Sequence, residues 1–433
     1  MLVLGVFLRP SQTFWDIDLY RWWMWQGLND GTWPVLDGPW VYPVGALVPM
    51  LTAATGGTDS TTGYALAWSL WVTAFNAVGL VALLHAPRVV GHRHIERTTA
   101  GAWWWVGFTA LLGPVAMGRL DAVVAPLVVG ALVVALRRPR MAAALLTAGA
   151  WVKAAPGALL LALVVVVRRP WREVVLPVAL VCAGVVALVV LGGGREHLLS
   201  FLTEQGERGL QAESVGATPW LLASLVDPEV GVELNAELIT WEVHGPGAQG
   251  AADALGVLFL VGIAAAGVFL WWCARRLGPR LWSDETARAQ LLVRGALLVA
   301  TLLIVLNKVG SPQFIGWIAP PVAVALALRL PGWRSTAWFV AAIAGATQLI
   351  FPWGYPQITT GGVGMTLVLA ARNVALVVLA ATVVLDLLRE THAPRLSSGD
   401  PDDDPAAAAH VASDEDALVP GPTPEHQRDV QPS

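Results

Sequence analysis

Residues 173–192 read EVVLPVALVCAGVVALVVLG, and no charged side chain interrupts the run between Val174 and Leu191. About 20 apolar residues in helical conformation span the hydrocarbon core of a bilayer, so this stretch predicts a membrane-crossing helix. Comparable runs recur at about 63–86, 99–117, 121–136, 141–152, 154–167, 253–274, 291–307, 314–330, 335–352 and 364–388. Together they predict an all-α fold, a polytopic transmembrane helix bundle of about 11–12 spans. The composition agrees, with 56% hydrophobic residues, 13% charged residues and a mean hydropathy of +0.61. Soluble domains carry about a quarter charged residues.

The net charge of −4 shows no nucleic-acid footprint. Cys182 and Cys273 both sit inside apolar runs, which argues against a disulfide framework or a cysteine metal site. Many of the 22 tryptophans, such as Trp22-Trp23, Trp103-Trp104-Trp105 and Trp271-Trp272, cluster near segment ends, as interfacial anchors do.

Two segments precede the first full span. Met1 to Leu8 is apolar but too short to cross, and it reads as a truncated first span rather than a signal peptide, since it lacks a basic start and a cleavage site. Trp40 to Thr55 is broken by Pro43, Gly45 and Pro49, which suits a re-entrant or interfacial element in a first outer loop over residues 9–62.

Basic residues orient the bundle, because Lys and Arg accumulate on the cytoplasmic side. With strictly alternating spans, one side receives Arg88, Arg93 and Arg97; Arg137, Arg138 and Arg140; Arg168, Arg169 and Arg172; Arg275, Arg276, Arg280 and Arg288; Arg329 and Arg334; and Arg389. This requires Met141 to Val167 to fold as a hairpin of two short helices with its vertex near Lys153, Pro156 and Gly157. One long kinked helix is the alternative, and it would scatter the arginines over both sides. The opposite, extracytoplasmic side then carries Asp16 and Asp18, the Gly118–Asp121 turn, Lys153, a long acidic loop over 193–252 that includes Glu204, Glu207 and Glu213, the Asn307–Ser311 turn, and the 351–362 loop. Residues 389–433 are polar, with Asp402-Asp403-Asp404, and read as a disordered cytoplasmic tail.

Trp15-Asp16-Ile17-Asp18-Leu19-Tyr20 places two carboxylates among aromatics at the edge of an apolar chain, where charge is costly and usually functional. Asp16 and Asp18 offer a base. Arg119, Lys153 and Lys308 offer cations, and Asp121, Asn307, Ser311 and Gln313 offer further hydrogen bonds. A base beside cations suits transfer of a group from a phosphate leaving group. The same residues equally suit an ion relay in a secondary transporter. The eight histidines, His92, His94, His197 and His244 among them, show no ligand spacing, and no acidic cluster calls for a divalent cation.

The set resembles the membrane glycosyltransferases of the GT-C fold, most closely glycosyltransferase family 87, the polyprenol-phosphate-mannose-dependent mannosyltransferases. Asp16-Ile17-Asp18-Leu19-Tyr20 resembles the family's Asp-x-x-x-Tyr, and Trp40-Val41-Tyr42-Pro43 its Tyr-Pro-Pro, with Val44 in place of the second proline. Gly118-Arg119-Leu120-Asp121 resembles a Gly-Gln-x-Asn turn whose amides are here charged. Trp151-Val152-Lys153-Ala154-Ala155-Pro156 resembles its Lys-x-x-Pro, and Ser311-Pro312-Gln313-Phe314 a late Ser-x-x-Tyr/Phe turn.

The resemblance implies a plasma-membrane enzyme working on the extracytoplasmic face. It would move a hexose, mannose by the family's habit, from a polyprenyl-phosphate donor to a hydroxyl of a glycolipid or glycan acceptor in the cell envelope; apart from the donor no cofactor is called for, and a divalent cation is left open, since the residues do not indicate one. Asp16 is the first candidate base and Asp18 the second. Arg119, Lys153 and Lys308 would hold the donor phosphate, and Tyr20, Tyr42, Asp121, Asn307, Ser311 and Gln313 would line the pocket. A transporter and a non-catalytic envelope assembly protein stand as the other two readings.

Overall fold

The computed structural model describes residues 4–8, 13–90, 99–203 and 208–392. The expectations for residues 9–12, for Arg93, Arg97, His92 and His94, for Glu204 and Glu207, and for the tail from 393 onward fall outside these residues, as does the side chain of Arg88.

The chain is mostly helical. In order, α1 is Trp15–Trp25, α2 is the broken segment Val44–Gly56, α3 is Thr61–Val90, α4 is Ala100–Leu112, α5 is Asp121–Val134, α6 is Pro139–Val152 and α7 is Ala155–Val164. Then follow α8 (Trp171–Leu191), α9 (Ala248–Leu277), α10 (Glu285–Val305), α11 (Pro312–Ala327), α12 (Trp333–Gln348) and α13 (Val363–His392). Six helices among the described residues are long and apolar enough to cross a membrane: α3, α8, α9, α10, α13 and the α12 segment continued to Thr359. Their settings differ. The most apolar window of α10 is 83% buried, whereas those of α8 and α9 are only 11% buried. Apolar helices so bare of protein cover are suited to hydrocarbon rather than water.

Arg288, near the start of α10, fixes the path of α6 and α7. Its Nε donates to the Val166 carbonyl at 2.9 Å and its Nη2 to the Leu136 carbonyl at 3.0 Å. Both feet of the 136–166 stretch therefore meet at one place. Gly149 packs on Pro156 and Gly157 on Ala150 across the turn, and Lys153 at the vertex is extended (φ −155°, ψ 127°). The hairpin is the observed form, and the single kinked helix is not.

Further basic residues among those described lie near Arg288. Arg168 and Arg288 lie over the Trp282 ring, 5.2 and 5.7 Å from its centroid. Gln290 donates to the Pro331 carbonyl, and buried Arg294 pairs with Asp386 and Glu390 of α13.

Three local departures have physical causes. The stretch after Phe14, read as loop, is the helix α1, because Ile17, Tyr20 and Met24 recur at helical spacing and are buried, while Asp16 and Asp18 occupy the first turn, where the helix dipole favours negative charge. The predicted 99–117 span ends as an α-helix at Leu112, where Gly113 (φ +75°) and Pro114 follow. The long 193–252 loop contains an antiparallel hairpin, β1 (Gly231–Asn235) with β2 (Thr240–His244), over a small apolar cluster that includes Leu210, Leu221, Val243, Ile350 and Leu369.

Candidate active site

Four of the five sequence stretches meet at the end of the bundle away from Arg288, and glycines set their approach. A side chain at Gly118 would place its Cβ 2.6 Å from the Thr13 carbonyl, so the Gly118–Asp121 turn sits directly under the start of α1. At Gly45 it would come 2.6 Å from the Trp151 carbonyl, which seats the Tyr42-Pro43 turn on the end of α6. Any larger residue would force these backbones apart.

Asp16 lies on the inner side of α1. Its Oδ2 forms an ion pair with Arg119 Nε at 2.9 Å, and Arg119 Nη1 donates to the carbonyls of Thr13 and Gly118. Lys153, from the hairpin vertex, reaches Asp121 Oδ2 at 2.6 Å, and Trp317 Nε1 donates to Asp121 Oδ1 at 2.6 Å. The Lys153 ammonium also lies over the Phe314 ring, 5.0 Å from its centroid, and Phe314 stacks on Trp317 at 4.2 Å. The two ion pairs thus cross between motifs: Asp16 with Arg119, and Asp121 with Lys153.

Exposure separates the two carboxylates. The Asp16 side chain is 25% exposed and that of Asp121 only 5%, with both Asp121 oxygens engaged. Asp16 can meet a substrate proton, whereas Asp121 orients Lys153. Asp18 stands elsewhere. Two residues on from Asp16 in a helix, it faces away and pairs with Arg21 at 2.7 Å and Thr61 at 2.9 Å. Burial works against its charge, but the hydrogen bonds from Arg21 and Thr61 and the Arg21 charge prevail and hold its carboxyl below the usual range.

Tyr20, four residues after Asp16 and on the same face, joins an aromatic cluster with Trp23, Trp40, Tyr42 and Trp68 at centroid distances of 5.2–6.1 Å. Tyr20 and Tyr42 hydrogen-bond to each other. Burial above all, with the negative charge of Asp16, pushes both phenols up, so they remain neutral at physiological pH. Tyr20 is only 1% exposed and bonded to Tyr42, so it supports the site from behind, against the expectation that it lines the pocket, and half-buried Tyr42 is the phenol able to meet a substrate hydroxyl.

The fifth stretch divides. Phe314 belongs to the pocket through Lys153, and Gln313 lines a narrow cavity with Asp121, Asn76 and Trp105. The 307–311 turn instead docks on the 193–252 loop: Gln211 N–H donates to the Lys308 carbonyl at 3.0 Å and Gly310 N–H to Gln211 Oε1 at 2.9 Å. Asn307 Oδ1 accepts from the Val309 N–H, and the Ser311 carbonyl from the Phe314 N–H, so both residues shape their own turn. These bonds carry the Lys308 backbone toward the loop.

Sequence reasoning missed Trp317, although it lies three residues after Phe314 on the same helical side. It also missed Arg372 and Asn373, whose polar side chains inside a predicted span were the available signal. Among the described residues, no group of three or more His, Cys, Asp or Glu side chains is placed to hold a metal ion. No family model, no curated protein and no solved structure matches the chain.

Proposed function

We infer that this chain is an integral plasma-membrane glycosyltransferase of GT-C type, with about 11–12 crossings, Val44–Gly56 as a re-entrant element and its Asp16 pocket facing outward. The donor is a polyprenyl-phosphate hexose, mannose by resemblance, and the acceptor is a hydroxyl of an envelope glycolipid or glycan. The observation that carries this reading is a partly exposed carboxylate, Asp16, paired with Arg119 beside Tyr20 and Tyr42, with Asp121, the partner of Lys153, within electrostatic reach of Tyr42.

In the reaction the acceptor oxygen attacks the anomeric carbon while Asp16 takes its proton. The bond from that carbon to the phosphate oxygen breaks, and its electron pair leaves with polyprenyl phosphate. Arg119 and Lys153 then share their charge between their carboxylate partners and the departing phosphate, where negative charge grows. Positive residues gathered around Arg288 support a cytoplasmic assignment for that end and for the carboxyl terminus.

The test is direct. Purified full-length protein in nanodiscs, given radiolabelled polyprenyl-phosphate mannose and an envelope lipid extract, should yield a labelled product and free polyprenyl phosphate. Absence of both products across envelope acceptor fractions would contradict the proposal, and ion-coupled uptake in proteoliposomes without transfer would favour a transporter.

A further inference from the structure

A second buried polar cluster lies where the outer loop meets the last helix. Glu213 and Arg372 are each 3% exposed and Asn373 is 1% exposed. Arg372 Nη2 donates to the Glu213 carbonyl at 3.0 Å. Asn373 Nδ2 donates to the Ser214 carbonyl at 3.1 Å and to Thr218 Oγ1 at 2.9 Å. From the other side the 307–311 turn closes on the same loop through Gln211 and through Gly310, whose Cα packs tightly on the Ser214 backbone. Residues 211–218 are thereby clamped between α13 and that turn.

The side chains in this clamp do not satisfy one another fully. Glu213 Oε2, Arg372 Nε and Asn373 Oδ1 are buried without a hydrogen-bond partner. A buried carboxylate oxygen left in that state is costly when ionised and much less so when protonated. The Tyr355 hydroxyl hydrogen-bonds to the Glu213 carboxyl. Charged groups on the surrounding elements are Arg372 on α13, Lys308 on the turn, Glu242 on β2 and Asp253 on α9, and of these Arg372 is the one whose charge acts on Glu213. Burial outweighs Arg372 and Tyr355 and pushes the Glu213 carboxyl up to about 7.

We propose that Glu213 is a proton-operated latch: neutral, it lets residues 211–218 stay clamped between α13 and the 307–311 turn, and ionised, it releases them. In the released loop its carboxyl returns toward the ordinary value of 4.5. Docking is therefore fully favoured below that value and is lost as pH rises through about 7. The loop also reaches the Asp16 pocket. Ser200 Oγ bonds the Trp40 N–H at 2.8 Å and its carbonyl at 3.1 Å, and the 307–311 turn leads into Phe314 and Trp317. Release would loosen the turn that leads into Phe314 and Trp317, whether or not the site transfers sugar.

Hydrogen exchange of the full-length protein in nanodiscs, followed by mass spectrometry from about pH 5 to about pH 8 and corrected for the intrinsic rate, reads the latch. Amides of 211–217 should open on the order of 10- to 100-fold more often at the upper pH, with α10 amides unchanged. Glu213→Gln should abolish the step. Tyr355→Phe removes a bond that favours the ionised form and should move the midpoint to higher pH. A flat wild-type profile overturns the proposal, and so does a step that survives in Glu213→Gln or a midpoint unmoved by Tyr355→Phe. Should Glu213→Gln fail to fold, the wild-type profile and Tyr355→Phe decide alone.

Discussion

Lys153 and Asp121 are joined at 2.6 Å, one at the vertex of the α6–α7 hairpin and the other in the first turn of α5. With Trp317 on the second Asp121 oxygen, this pair ties three separate stretches of chain together. Its side chains are 16% and 5% exposed, so it is a buried pair rather than a surface one.

Removing one partner leaves the other charge stranded. Asp121→Asn or Lys153→Met should each cost roughly 3–5 kcal/mol of stability, and the double variant should recover part of that loss. Denaturation midpoints of the three variants check it, and a double variant whose losses simply add would argue that the pair is not coupled.

The close approach at Gly118 makes a steric prediction. Gly118→Ala must push the Thr13 carbonyl and Phe14 ring away, with a cost of about 1–3 kcal/mol and a displaced Asp16. Gly130→Ala in α5 meets nothing within 4 Å and should be neutral or stabilising by up to about 1 kcal/mol. Thermal unfolding of both distinguishes packing at the site from a general intolerance of alanine.

The proposed sidedness rests on the basic residues near Arg288 and can be tested by labelling. In a background lacking Cys182 and Cys273, a cysteine at exposed Asn29 should react with a membrane-impermeant thiol reagent on intact cells. One at exposed Arg169 should react only after permeabilisation. The reverse pattern would place the Asp16 pocket on the cytoplasmic side.

Much of this architecture is legible in the chain itself. Apolar length marks the long helices, and glycine and proline mark their interruptions at Gly113 and at Pro156. The hairpin at Lys153 follows from requiring the arginine-rich connections to share a side. The pairing inside the site is not legible in the same way. Arg119 and Asp121 are two residues apart at the start of a helix and face different directions, as do Asp16 and Asp18 in α1. A reading of Trp15–Tyr20 as loop leaves both carboxylates in the pocket, and only the helix separates them. The Glu213 cluster stays hidden for another reason: Glu213 is one of several acidic residues in the outer loop, and its burial depends on α13 more than 150 residues later, as the Arg372 bond with its separation of 159 makes plain.

The proposed role of Asp16 in taking the acceptor proton is read out by the turnover of two amide variants. Asp16→Asn should lower the transfer rate by roughly 10²–10⁴-fold, the usual worth of a general base, while lipid-linked donor still binds. Asp18→Asn, facing Arg21 and Thr61, should stay within a few-fold of the wild-type rate. Full transfer by folded Asp16→Asn protein, or a loss confined to Asp18→Asn, would contradict the account.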